Sequence, residues 1–414
     1  MRFIKSGLFG LFIFLSTQVL GQQFEVSGFF LTNNQRKVEI PFENHGNLII
    51  VKMMLQNQLP LNFVVDTGVR YTLLIDKVYS DLININYDRQ LALMGPDGKN
   101  TVNAYVASGV DYLVLGGLIA RNQSFLVLEE DYLDLKSFLG LPIHGIIGFD
   151  LFDRFVVELN YDDMIMTLHE PRSFKRPKRM RKVPLEIIDT KPYITIDIQQ
   201  RNGKVLKNAK MLVDTGASHA IMINRETTDD VFMPDRQLET SLGRGLGGEI
   251  GGVVGRVDKV SFNRFTFREV LTSYPDPNDF SSIIKDTGRF GTVGADIFSK
   301  LRIIIDYDKK QLFLAKGGRY RERFEFNMSG IEFKAQELLG KKIVINSIRE
   351  GTPGDDAGLQ KGDILYALNG SLASSMTLTQ VNDLMSSKDG RTIRMVVLRN
   401  GEKLRVKFDL KRLI

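Results

Sequence analysis

Phe63-Val64-Val65-Asp66-Thr67-Gly68-Val69 and Met211-Leu212-Val213-Asp214-Thr215-Gly216-Ala217 follow one pattern, an apolar run closed by Asp-Thr-Gly, and they stand 214 − 66 = 148 residues apart. Asp and Gly are ordinary turn residues, so one such tripeptide reads as a strand-ending turn. Here the surroundings repeat as well. Ile146-Ile147-Gly148-Phe149-Asp150-Leu151-Phe152 matches Thr292-Val293-Gly294-Ala295-Asp296-Ile297-Phe298, and Glu158-Leu159-Asn160-Tyr161-Asp162 matches Ile304-Ile305-Asp306-Tyr307-Asp308, both 146 residues on. The chain carries a duplicated unit, and each copy brings one carboxylate to an equivalent place.

The ordered motifs resemble the aspartic proteases of the pepsin and retropepsin type over roughly residues 45 to 315, with in-unit spacings of 148 − 66 = 82 and 294 − 214 = 80. The resemblance implies a mostly β, bilobal fold in which Asp66 and Asp214 are catalytic. It also implies that Thr67 and Thr215 hydrogen-bond across the two loops. Gly68 and Gly216 let the chain turn behind each carboxylate and offer unshielded N–H groups. Two carboxyls held close in a partly dry cleft cannot both ionise. A water between them meets a base on one side, while the protonated partner polarises a peptide carbonyl. The two ionisations belong to the pair, so neither aspartate alone is assigned as the base. The expected substrate is a polypeptide, and no cofactor, metal or covalent intermediate is required. Pepsins carry Ser or Thr after the glycine, where this chain has Val69 and Ala217. Losing a hydrogen bond to the charged form raises the pair's acidity constants, which predicts a pH optimum nearer neutral than pepsin's.

Within the units the reading is mostly strand: Tyr193 to Ile198 and Val102 to Val106 alternate with a period of two. Gly95-Pro96-Asp97-Gly98 reads as a turn 95 − 66 = 29 residues after the first aspartate, where the family carries a flap hairpin. In the second unit Gly247 and Gly248 lie in a glycine-rich loop, Gly247 being 247 − 214 = 33 residues after Asp214. Gly95, Gly98, Gly247 and Gly248 are the flap candidates. The glycines lack the strand-to-helix setting of a dinucleotide loop.

After about residue 328 the pattern changes. Gly351-Thr352-Pro353-Gly354, Ala357-Gly358-Leu359, Lys361-Gly362-Asp363-Ile364-Leu365 and Asn369-Gly370 follow closely, and this run resembles a small α+β PDZ domain over residues 329 to 412. The resemblance implies a peptide groove beside Gly330, Ile331 and Phe333, bordered by a helix carrying Val381 and Leu384. Val381, Leu384 and Met385 at helical spacing fit equally a face turned to the domain's own core. Ser329-Gly330-Ile331-Glu332-Phe333 departs from the usual Gly-Leu-Gly-Phe loop, against recognition of a terminal carboxylate.

The 414 residues exceed a single core and divide as 22–170 (first lobe), 171–183 (linker), 184–325 (second lobe) and 329–412 (PDZ). Residues 1–21 read as a signal peptide: Arg2 and Lys5, then an apolar run from Gly7 to Leu15, then Val19-Leu20-Gly21. This predicts an exported protein, periplasmic or secreted, without a membrane span once the signal is removed. Cysteine is absent, and His45, His144, His169 and His219 have no metal-ligand spacing. Ser218-His219 beside Asp214 does not read as a triad, since adjacent strand residues face opposite ways. The net charge of +6 is local: seven Lys or Arg fall in residues 172–182, between the units, and read as a solvated linker. No stacking aromatics are interleaved, so no nucleic-acid partner is expected. Two functions fit, an aspartic endopeptidase with a peptide-recruiting PDZ module or a catalytically silent peptide-binding protein of the same fold. Retention of both Asp-Thr-Gly loops favours the first.

Overall fold

The computed structural model describes residues 27–94, 101–245, 248–277, 287–336 and 342–414. Its strands form four sheets: one of nine strands from the first unit, one of eight from the second, a six-stranded sheet shared between the units, and a six-stranded sheet after residue 328. The expected mostly β, duplicated fold with an added α+β PDZ domain is the fold found.

The shared sheet reveals the symmetry of the duplication. Its central strands, Val156–Asn160 and Leu301–Asp306, pair antiparallel, with Glu158 opposite Ile304. These residues are each other's counterparts at the repeat offset, 304 − 158 = 146, so the pseudo-two-fold axis passes between them. Strands that repeat in sequence are thus paired in space, and their apolar residues, such as Val157, Leu159, Ile303 and Ile305, are wholly buried. Across the same join, Arg302 Nε donates to Glu158 Oε1 at 2.6 Å, and His169 Nε2 lies 3.1 Å from Glu158 Oε2. Burial pushes the Glu158 constant up, but these two partners hold it below the ordinary value.

Residues 171–183 correct the expectation of a purely solvated linker. All seven basic side chains are exposed, but Arg181–Pro184 forms an edge strand of the shared sheet against Gln311–Lys316. Met180 is buried, and the Phe174 ring lies 6.1 Å from that of Phe313. The apolar residues between the charges have a core to reach, so the segment is anchored by one face. The segment before the first unit is equally structural. Gly28–Leu31 pairs with Leu118–Leu128, Lys37–Pro41 closes the shared sheet, and Phe29, Leu31, Val38, Ile40 and Phe42 are buried. Cutting away residues 28–44 would remove all five from the core and uncover the apolar residues they pack against, losing about 1.5–3 kcal/mol per large apolar side chain.

In the last domain Asn369 and Gly370 both have positive φ, 49° and 92°, and turn the chain between Leu368 and Ser371 as a two-residue hairpin requires. The helix Leu378–Met385 starts with a capping box, Thr377 and Gln380 each accepting the other's backbone N–H. Arginines fix the domain to the second lobe: Arg412 Nη2 donates to Glu325 Oε1 at 2.5 Å, and the buried Arg256, which also donates to Phe324 O in its own lobe, donates to Ile414 O at 3.2 Å.

Candidate active site

Each aspartate stands just past the end of a buried strand, Leu59–Val65 or Val205–Val213. Beside each runs the second motif of the same unit. Gly145–Ile147 pairs parallel with the first strand and Gly291–Val293 with the second. The Asp66 N–H donates to Ile147 O at 2.9 Å and the Asp214 N–H to Val293 O at 3.0 Å. Gly148 and Gly294 then pass so close behind the loops that a Cβ would lie 2.3 Å from Asp66 O and 2.1 Å from His219 O, respectively.

The two loops hold each other through their threonines, both fully buried. Thr67 Oγ1 donates to Val213 O at 2.7 Å, and Thr215 Oγ1 donates to Val65 O at 2.9 Å. Each hydroxyl also accepts the other threonine's N–H, both at 3.1 Å. Four reciprocal bonds therefore join strands 148 residues apart.

The carboxyls meet at this join, and both lie within 3.3 Å of one point beside Gly68. Gly68 N–H donates to Asp66 Oδ1 at 2.6 Å and Gly216 N–H to Asp214 Oδ1 at 3.0 Å. Gly216 lies against the opposite aspartate: a Cβ there would stand 2.2 Å from Asp66 Cγ. A Cβ on Gly68 would stand 3.0 Å from Asp66 Oδ1 and 3.3 Å from Asp214 Oδ2. The glycines are needed because the loops pack directly on the carboxyls, and neither needs positive φ.

Burial is the first cause raising both constants; for Asp66 the negative charge of Asp214 raises it further, well above the ordinary carboxylate value. On Asp214 the burial effect is opposed by the positive charge of Arg289, and Lys191 acts on both. Arg289 donates to Gly291 O at 3.0 Å and to Thr292 Oγ1 at 2.5 Å, so its own hydrogen bonds go to neutral acceptors. Arg289 therefore eases ionisation on the Asp214 side of the pair. The sequence reading missed Arg289 and Lys191. A signal existed for Arg289, since its repeat counterpart, 289 − 146 = 143, is the buried Ile143, a local break in the duplication.

His219 takes no part in a triad. Its Nε2 is buried without a hydrogen-bond partner, and burial, with Arg289 adding to it, lowers its constant to about 4. No cluster of three or more His, Cys, Asp or Glu that could hold a metal occurs among the described residues.

Of the flap candidates, Gly95, Gly98 and Gly247 lie outside the described residues. Gly248 opens the strand Gly248–Phe262 and pairs with Gly245, closing a hairpin with Leu238–Gly245. In the first unit Arg89–Met94 and Thr101–Val114 form the matching hairpin. The groove candidates line up on two elements of the PDZ domain. Ile331 and Phe333 are on Ile331–Gln336, Val381 and Leu384 on Leu378–Met385, and Gly330 precedes the strand at φ +75° against Thr352. Ile331, Phe333 and Val381 are buried in the domain's own core, and Leu384 packs against it half-buried. A cavity of about 960 Å³ between the second lobe and the PDZ domain includes neither aspartate. Its Arg256 and Arg412 are already answered by Glu325 and backbone carbonyls, so it reads as a seam between domains.

The family model described as aspartyl protease matches residues 51–151 and 194–294, the two units around the aspartates. The one described as PDZ domain matches residues 344–399. No curated protein matches the chain. No helix among the described residues is long and apolar enough to cross a membrane.

Proposed function

Because the chain carries an aspartyl protease domain in two segments and a C-terminal PDZ domain, we propose that it is an aspartic endopeptidase in which Asp66 and Asp214 activate a water for attack on a peptide bond. The observation that carries this reading is the join of the two loops. Four reciprocal threonine bonds and two glycine N–H groups hold two buried carboxyls together, where burial and their mutual charge disfavour ionising both. In the proposed step the ionised aspartate of the pair takes a proton from the water while the protonated one donates its own to the carbonyl oxygen. The tetrahedral diol then collapses: its C–N bond breaks, the leaving nitrogen takes the proton that came from the water, and a diol hydroxyl returns its proton to the other aspartate, which restores the one-proton pair. Substrate enters under the paired hairpins, and the PDZ domain engages polypeptide at the same molecule, raising its effective concentration at the cleft. The protein works as a single chain, since both carboxylates are present in one copy. The charge pattern of residues 1–21 supports export to the periplasm or the outside.

The test is cleavage of a diverse peptide pool across acid to neutral pH by the native protein and by Asp66→Asn and Asp214→Asn. Internal cleavage by the native protein is expected, with each variant losing at least about a thousandfold in rate. No cleavage at any pH, or full rates in the variants, would leave a silent peptide-binding fold.

A further inference from the structure

The PDZ groove is covered from within the chain. Its walls are Ile331–Gln336, an edge strand paired on one side only with Lys342–Ile348, and the helix Leu378–Met385. The short helix Leu135–Leu139 of the first lobe packs against both walls. Its capping residue Gly140, buried and at φ +73°, is pressed so close that a Cβ would stand 2.6 Å from the Cβ of Leu378. A neighbouring hairpin of the first lobe adds a second hold: His45 Nδ1 lies 3.4 Å from Thr379 Oγ1. The strand's other neighbour is the second lobe. Thr240 Oγ1 donates to Glu332 Oε1 at 3.3 Å, and Arg349 Nη2 to Glu239 O at 3.0 Å, both from the Leu238–Gly245 arm of the second hairpin.

Two observations define what the groove takes. First, the helix meets the strand without any backbone hydrogen bond among the described residues, so it shields the edge but does not pair it. An added strand would make the bonds the helix leaves unmade. Second, the loop that would hold a terminal carboxylate has spent its donors. Asn327 Oδ1 accepts the N–H groups of Ser329 at 2.9 Å and Gly330 at 3.2 Å, and Ser329 Oγ accepts that of Ile331 at 3.1 Å.

We infer that Leu135–Leu139 is a displaceable latch on the PDZ groove, and that its competitor is an internal, extended segment of a polypeptide added to Ile331–Gln336 irrespective of any free carboxyl end. The inference rests on the proposed role of the PDZ domain in engaging polypeptide. Displacement also has a direct route to the chemistry. The latch lies shortly before Gly145–Ile147, which holds the Asp66 loop, and the strand that gains the peptide carries Glu332, bound to the second hairpin. A peptide that binds the unlatched state alone shifts the molecule toward it by its differential affinity.

The experiment uses the full chain bearing Asp214→Asn, so that cleavage plays no part and a failure of the enzymatic reading leaves the result intact. The probe is a lysine-flanked decapeptide of alternating Val and Thr, with free or amidated carboxyl end, followed by fluorescence anisotropy and amide hydrogen exchange. Both forms bind alike, and saturation slows exchange in residues 331–336 while speeding it in residues 135–140. Adding Gly140→Ala, whose Cβ collides with Leu378, tightens binding about tenfold. Gly390→Ala, at a similar φ of +74° but with nothing within 4 Å, does not. Binding that needs the free carboxylate, unchanged exchange in residues 135–140 at saturation, or no binding by either the native sequence or Gly140→Ala would each overturn the inference.

Discussion

At the scale of single residues, charge placement distinguishes the two aspartates. Asp66 and Asp214 occupy equivalent positions in the duplication, yet only the second unit supplies Arg289, whose positive charge eases ionisation of Asp214. A nearby cation lowers a carboxyl's acidity constant, so removing it raises the constant. Arg289→Gln is therefore expected to move both limbs of the kcat/KM profile to higher pH, by about one unit. Arg289→Lys, which keeps the charge, should move them less. Profiles of the native protein and the two variants check this, and superimposable limbs would remove Arg289 from the electrostatics of the site. The native optimum itself is expected above the ordinary carboxylate value of about 4, because the one-proton form persists to higher pH when burial raises both constants. The aspartates and glycines were legible in the sequence because a duplicated tripeptide carries its own internal control. For Arg289 the sequence offers only a break in the duplication against Ile143, because electrostatic reach depends on distance across the fold and not on position along the chain.

At the scale of elements, the decisive feature is the crossing of two loops through their threonines. Thr215→Val removes a hydroxyl that donates to Val65 O and accepts the Thr67 N–H, in a place without solvent. Both groups then lose their partner, at a cost of about 1–3 kcal/mol for a buried unsatisfied group. Equilibrium denaturation should show that loss together with a fall in activity, whereas Thr215→Ser, which keeps the oxygen, should recover most of both. Unchanged stability in Thr215→Val would mean that the join is dispensable. Strands such as Lys191–Gln199 and Thr101–Val114 were readable from alternation, and the Asn369-Gly370 turn from its chemistry. The edge strand Arg181–Pro184 was not readable, because its basic residues describe only the face turned to water and its pairing partner lies 311 − 184 = 127 residues away.

At the scale of the whole molecule, the PDZ domain is joined to both lobes. Glu325 is paired with Arg412, and Arg256 is satisfied partly by Ile414 O. Removing residues 329–414 should therefore destabilise the remaining lobes, with a thermal midpoint lower by about 2–4 °C for each kcal/mol lost. An unchanged midpoint would describe a PDZ domain that hangs on independently. In the proposed function a ligand on Ile331–Gln336 would disturb what already lies against that strand, so binding there and contact with the lobes are coupled.

The duplication, the paired aspartates with their threonines and glycines, and the change of pattern near residue 328 are readable along the chain, because each is a local signal repeated or spaced within it. Folding alone brings equivalent strands together about one axis, lets the charge of Arg289 reach Asp214, and packs Leu135–Leu139 on the strand Ile331–Gln336 and the helix Leu378–Met385. Those are relations between distant segments. Their energies arise from burial, hydrogen bonding and charge brought together by folding, and none of these is recorded in the order of residues along any one stretch.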